Sequence, residues 1–280
     1  MNISLLESCI ETLTNRQSFK DAYENTFELI RAEDEDARDK VLRLRYRVYC
    51  REHELESPCE TDSYTEHDEY DARSAHFILR HRISNEIAGT VRVILPDDTS
   101  ASSGLQAQTL CDHPLLHRQD AEAPRLCEIS RFCTASRFRK RDGDGKFLSA
   151  YFDQDLIETD ENGKTRTIRR MIAYMPAALM CGAFEAAMEA GILDCVWLVE
   201  PCHLESLQQI GFSYATLGPQ VDYHGGAQPV IFNIKHSLDN MHREAPHCWE
   251  VVSDGGRLQD LADALAQDMW QDNLVKNYSK

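Results

Sequence analysis

Apolar positions along this chain follow two periods. FELIRA (27–32) predicts a short strand, and Val41, Leu44 and Val48, at steps of three and four within 34–53, predict a helix. AHFILRHR (75–82) and EIAGTVRVILP (86–96), separated by ISN, predict two strands; in the second, Val91, Val93 and Leu95 alternate with Arg92 and Ile94, the period of a strand with one face buried. RLCEISRFCT (125–134) predicts a third strand of this group. The rhythm sharpens beyond residue 175. Leu179, Ala183 and Ala187 form one four-residue row of a helix over about 175–190, and Met180, Phe184 and Met188 form another; Pro176 suits its first turn and Gly191 its end. DCVWLVE (194–200) is apolar on both faces, as a buried parallel strand would be. A short helix (203–212) stopped by Gly211, two strands (SYATLG and QPVIFNI) and a final amphipathic helix (257–270) complete the pattern.

Between these elements the chain is polar. Residues 1–25 read as a weakly amphipathic lead-in, and 97–124 as loop. Residues 142–168 read as an insertion holding the turn-prone DENGK (160–164), and the segment after 235 as polar up to residue 257. Residues 52–71 hold nine acids and no Lys or Arg, a run that predicts a solvated loop. The order of elements predicts a mixed α/β sheet with helices on its faces, a parallel step in the second half and an antiparallel pair to close it. The division expected is a lead-in (1–26), one domain (27–235) and a tail (236–280).

Composition narrows the function. With 280 residues and 42% hydrophobic content there is enough material for a core, and the net charge of −17 disfavours non-specific binding to nucleic acid or anionic lipid. No apolar run approaches the roughly 20 residues of a membrane span, and the first residues lack the order of a secretory signal. Ten cysteines without a Cys-x-x-Cys pair, several inside apolar runs, predict reduced, packed thiols and a cytoplasmic setting rather than a zinc knuckle.

Four polar clusters could carry chemistry. Taken alone, Arg45 and Arg47 read as surface arginines, and Asp71, at a strand entrance, as a backbone cap. Arg92 is either exposed or paired with a carboxylate. In a regular strand Glu128 and Ser130 share one face and Arg131 the other, so both charges reach one cleft only through a bulge. A metal site from His67, Asp68 and Asp71 lacks regular ligand spacing, and no metal is expected.

Taken in order, RYRVY (45–49), EYD (69–71), GTVRVILP (89–96) and EISRF (128–132) resemble the acyl-homoserine-lactone synthases. They are more similar still to the long-chain N-acyl amino acid synthases and the PEP-CTERM/exosortase-associated acyltransferases, variants of the GNAT N-acyltransferase fold. The resemblance spans about residues 27–235. It implies a GNAT-like α/β fold, with Glu128, Arg131 and Arg92 as catalytic residues and Arg45, Asp71, Ser130 and Phe132 at the substrate. The family's second acid falls on Ser74, and Leu55 stands where lactone synthases tend to have tryptophan, which points away from lactone synthesis.

The implied reaction is attack of an amine on an acyl thioester, with Glu128 as base and a backbone N–H near the bulge facing the oxyanion. Lys140-x-x-Gly143-x-Gly145 only approximates a coenzyme A pyrophosphate loop. The basic island Arg137, Arg139, Lys140 and Arg141 suits an acidic acyl carrier protein that presents a phosphopantetheine thioester, although acids between 142 and 161 could neutralise it. No permanently bound cofactor is expected. The readings carried forward are transfer of a medium or long acyl chain from a carrier protein to an amino acid-like amine, a short-chain coenzyme A-dependent acetyltransferase, and a non-catalytic fold that holds an acyl ligand.

Overall fold

The computed structural model describes residues 19–53, 64–97, 104–118, 125–138, 155–159, 165–169 and 175–278. Helix α1 (Phe19–Thr26) leads directly into β1 (Phe27–Arg31). Helix α2 (Glu35–Arg45) starts at Asp34, whose carboxylate accepts the Ala37 N–H at 2.7 Å, with Glu35 and Asp36 in its first turn and Arg43 and Arg45 in its last. The periodicity that predicts one helix to residue 53 spans two forms, because Tyr46–Glu52 continues as a π-helical stretch.

The strands β2 (Ser74–His81), β3 (Ile87–Ile94), β4 (Leu126–Thr134), β7 (Asp194–Val199), β8 (Ala215–Thr216) and β9 (Gln228–Asn233) join β1 in one seven-stranded sheet of order β1-β2-β3-β4-β7-β9-β8. Every pairing is antiparallel except β4 with β7. The parallel step therefore falls where the apolar-on-both-faces strand predicts it. The expected insertion contains a separate two-stranded ribbon, β5 (Asp155–Thr159) with β6 (Thr165–Arg169); its turn and the rest of that segment lie outside the described residues.

The two faces of the sheet differ. Phe77, Leu79, Val91, Val93 and Ile129 pack on helix α4 (Met175–Glu189) through Leu179, Ala183 and Phe184. The approach is close: a Cβ at Gly182 would lie 2.7 Å from Phe77 Cδ1. On the other face, Ile94, Leu126 and Val196 meet Leu105, Leu116 and Leu217. The segment after 97, read as loop, thus supplies fully buried side chains, a short helix α3 (Ala107–Leu110) and a 3₁₀ turn at Pro114–His117.

Helix α5 (Pro201–Gln209) follows β7, as the pattern predicts. The polar segment after 235 is helical from the start, with α6 (Ile234–Glu244), α7 (Pro246–Val252) and α8 (Arg257–Tyr278). Its amphipathic rows place Leu238, Met241, Val251 and Leu258 in the main core. Polar residues on the outer faces hide these rows from a reading by composition. None of the eight cysteines described forms a disulfide, and Cys127 and Cys195, opposite each other in β4 and β7, place their sulfurs 3.3 Å apart. No helix is long and apolar enough to cross a membrane, among the described residues.

Candidate active site

The alternation of β3 and β4 puts Arg92, Glu128 and Ser130 on the face away from α4. The bulge that sequence reasoning required is present. Thr90 pairs with Cys133 and Arg92 with Ser130, so two residues of β4, Arg131 and Phe132, oppose Val91 alone. Arg131 takes φ 48°, a left-handed conformation that turns its side chain onto the Glu128 face. The β4–β7 ladder ends at Ile129 and Trp197, while β4 runs on beside β3 and β7 beside β9. The sheet splits at this point, one residue beyond Glu128.

Three arginines and three carboxylates close into a ring of alternating charge. Arg45 donates from Nε to Glu66 and through its two terminal nitrogens to Asp71, at 2.7 and 3.2 Å. Arg92 bonds Asp71 at 2.8 Å and Asp68 at 2.5 Å, and its Nε reaches Ser130 Oγ at 2.8 Å. Arg131 completes the circuit, from Asp68 at 3.1 Å to Glu66 at 2.9 Å. Asp71 also accepts the Asp68 N–H at 2.9 Å, so the backbone-cap role holds beside the ionic one. The rings of Tyr49 and Tyr70 lie 5.5 and 5.8 Å from the Arg131 and Arg92 guanidiniums.

Two simpler readings are thereby corrected. Arg45 is wholly buried rather than a surface residue, while Arg47 beside it is exposed. The described end of the acidic run is not a solvated loop, since Glu66 is buried and Asp68 and Asp71 are largely covered. A run of acids avoids solvent when buried cations lie beneath it. Asp68 and Asp71 are also poor metal ligands here, because arginines already occupy their oxygens. Ser74, in the place of the family's second acid, bonds the Tyr70 carbonyl at 2.6 Å, and Asp68 and Glu66 supply the charge it lacks.

The electrostatics follow from this balance. Burial alone would raise the Glu66 carboxyl, but Arg45 and Arg131 hold it at about 2. Asp71 is held well below the carboxylate range against its burial, chiefly by Arg45. Burial drives His76, which lies against Asp71, down to about 4, so it is neutral. With three cations matched by three anions, Glu128 is the unmatched acid. It is completely buried; its Oε2 accepts the Ala107 N–H at 2.8 Å and its Oε1 has no partner. Burial pushes this carboxyl up to about 7, against the pull of the Ala107 amide, Arg92 and Arg131.

Phe132 packs its ring at a tilt against Trp197 across the split, with centroids 5.2 Å apart, and is half-buried. Arg92, Arg131, Arg45, Asp71, Ser130 and Glu128 thus meet in one place, with Phe132 at its edge. Surface cavities of about 430 and 360 Å³ flank Arg73, and neither is lined by Glu128. The basic island falls outside the described residues, namely the Arg137 side chain, Arg139, Lys140, Arg141, Gly143 and Gly145, as does Leu55. Sequence reasoning missed Glu66, Asp68, Tyr223 and the Ala107 amide as members of the site. A signal for the first two was available, because three buried arginines cannot be balanced by Asp71 alone.

This sheet, split beside a parallel step, defines a GNAT-like acyltransferase fold, and residues 44–147 match the acetyltransferase (GNAT) domain family. Among solved structures, the chain is similar to TofI in a ternary complex with an inhibitor and MTA. Identity is 18%, coverage 77% of this chain and 96% of TofI, and the TM-score 0.51. It is equally similar to the CoA-dependent acyl-homoserine lactone synthase BjaI with SAM and isopentyl-CoA, at 19% identity, 78% and 88% coverage and a TM-score of 0.51. FeeM, an N-acyl amino acid synthase from uncultured soil microbes, overlays at 13% identity over 76% of this chain and 93% of its own, with a TM-score of 0.48 that carries no weight in choosing between classes. At these identities the likeness is one of fold. No curated protein matches the chain in sequence.

Proposed function

We propose that this protein is an N-acyltransferase that moves a medium or long acyl chain from a phosphopantetheine thioester to the amine of an amino acid-like acceptor. The observation that carries the proposal is Glu128, a buried carboxyl titrating near neutrality, with one oxygen unpartnered, at the vertex of the split sheet. A base of this kind removes the proton that keeps an α-amine from attacking. The amine nitrogen then bonds to the thioester carbonyl carbon while Glu128 holds the proton, and the oxyanion forms beside the β4 bulge. Collapse breaks the C–S bond; the departing thiolate takes the second proton, which the nitrogen sheds on becoming an amide, and leaves as the thiol, while Glu128 returns the first proton to solvent. A positioned base contributes ~10²–10⁴-fold.

The ring residues act by positioning. Arg45 is locked between Glu66 and Asp71 and holds the 64–71 segment over the sheet, while Arg92 and Arg131 set the field at Glu128. The carrier-protein donor rests on the basic island at 137–141, and a coenzyme A donor remains the second reading, favoured by the similarity to BjaI. The protein would be incubated with decanoyl-acyl carrier protein or decanoyl-CoA and the twenty amino acids, with mass spectrometry of the products and of lipid extracts from an expressing bacterial host. Glu128→Gln should abolish the N-acyl product while leaving the circular dichroism spectrum unchanged; undiminished product would sink the assignment. Turnover with acetyl-CoA alone would favour the short-chain reading, and a copurified fatty acid without turnover the non-catalytic one.

A further inference from the structure

The segment between β8 and β9 bends back over the site. A bridge between Val221 and Ala227 closes it, with His224, Gly225 and Gly226 all at positive φ. This tight turn lays Tyr223 and His224 against each other, ring centroids 3.9 Å apart, and sets His224 5.4 Å from Tyr49. The Tyr223 hydroxyl is thereby fixed between two polar groups. It accepts from Arg131 Nη1 at 2.5 Å and donates to Gln106 Oε1 at 3.2 Å. Gln106 is the residue before Ala107, whose N–H holds the Glu128 carboxylate at 2.8 Å. One phenol therefore joins the bulge arginine to the turn that carries the amide donor of Glu128.

We propose that Tyr223 is a positioning residue, whose hydroxyl keeps the Gln106–Ala107 turn docked on Glu128 and so sets the proton affinity of that carboxylate. Every group facing Glu128 bears on this. Arg92 from β3, Arg131 from β4 and the Gln106–Ala107 amides favour the charged form, and β7 presents only the apolar Val196 in register. Tyr70, from the 64–73 segment, feels the Glu128 charge in turn. Removing the Tyr223 hydroxyl frees one nitrogen of Arg131, which Glu66 and Asp68 still hold, and slackens the amide donors, so the neutral acid gains and the Glu128 titration moves to higher pH. The inference rests on Glu128 as the base, and its test separates the two claims.

The experiment is ¹³C NMR of protein labelled at glutamate carboxyls, with the Glu128 signal identified by its loss in Glu128→Gln. In the wild type this signal should titrate near pH 7, and in Tyr223→Phe its midpoint should rise by about half to one pH unit. Gln106→Leu cuts the same link from the other end and should give a shift of the same sign, even if the Tyr223 variant folds poorly. A folded variant whose midpoint coincides with that of the wild type, or falls below it, overturns the Tyr223 assignment. A wild-type Glu128 titrating near an ordinary 4.5 overturns the base assignment itself. The merely structural alternative lowers thermal stability without moving the Glu128 midpoint.

Discussion

Glu66→Gln is the sharpest perturbation of the charged ring. Glu66 is bonded to both Arg45 and Arg131, and glutamine keeps its size while removing its charge, so the buried ring is left with one positive charge in excess. A carboxyl lowered from its ordinary 4.5 to about 2 reports a preference for the charged form of about 3 kcal/mol at neutral pH. Breaking buried ion pairs typically costs roughly 3–5 kcal/mol, in agreement. The glutamine NH₂ must also face a guanidinium, which deepens the loss. Urea titration at pH 7, followed by far-UV circular dichroism, should show the unfolding free energy lowered by that amount, as a lower midpoint with an unchanged slope. The sign across pH is fixed. The folded pKa lies below the unfolded one, so the contribution of Glu66 is complete above pH 4.5 and is lost as pH falls toward 2. The gap between wild type and variant should therefore close over that window. A loss below about 1 kcal/mol at pH 7, the size of an exposed pair, would refute the picture of a buried, mutually dependent ring.

Other consequences are simpler to state. His76 is buried and neutral with its pKa lowered to about 4, so the unfolded chain takes up its proton first as pH falls from 6.5. His76→Gln should remove a stability slope of up to about 1.4 kcal/mol per pH unit between pH 6.5 and 4, read from denaturation midpoints at several pH values. Gly182→Ala should cost about 1–3 kcal/mol, because the new methyl meets Phe77, and calorimetry should show the lower Tm; a Tm equal to wild type would contradict that close approach. Glu128→Gln should lose product without losing the fold, and Tyr223→Phe should raise the Glu128 titration.

Period and order along the chain determined most of the strands and helices, where the parallel step falls and that Glu128 and Ser130 share a face, because each depends on the alternation of neighbouring residues; the helices at 107–110, 234–244 and 246–252, in segments that read as loop or polar, were not legible that way. The need for a bulge at Arg131 was legible for the same reason. Only the tertiary structure decided how the charges are matched. The ring joins Arg45 at the end of a helix, acids 66–71 from a run that reads as solvated, and two strand arginines, with partners 21 to 65 residues apart. Whether an acid sits in water or over a buried guanidinium depends on what lies beneath it, which no local pattern contains. Tyr223 enters the site from the far edge of the sheet through a turn with three consecutive positive-φ residues, a contact set by chain geometry rather than by periodicity. The net charge of −17 bounded the partners of the whole surface, whereas the proton affinity of Glu128 depends on desolvation, on the amides of the Gln106–Ala107 turn and on Arg92 and Arg131.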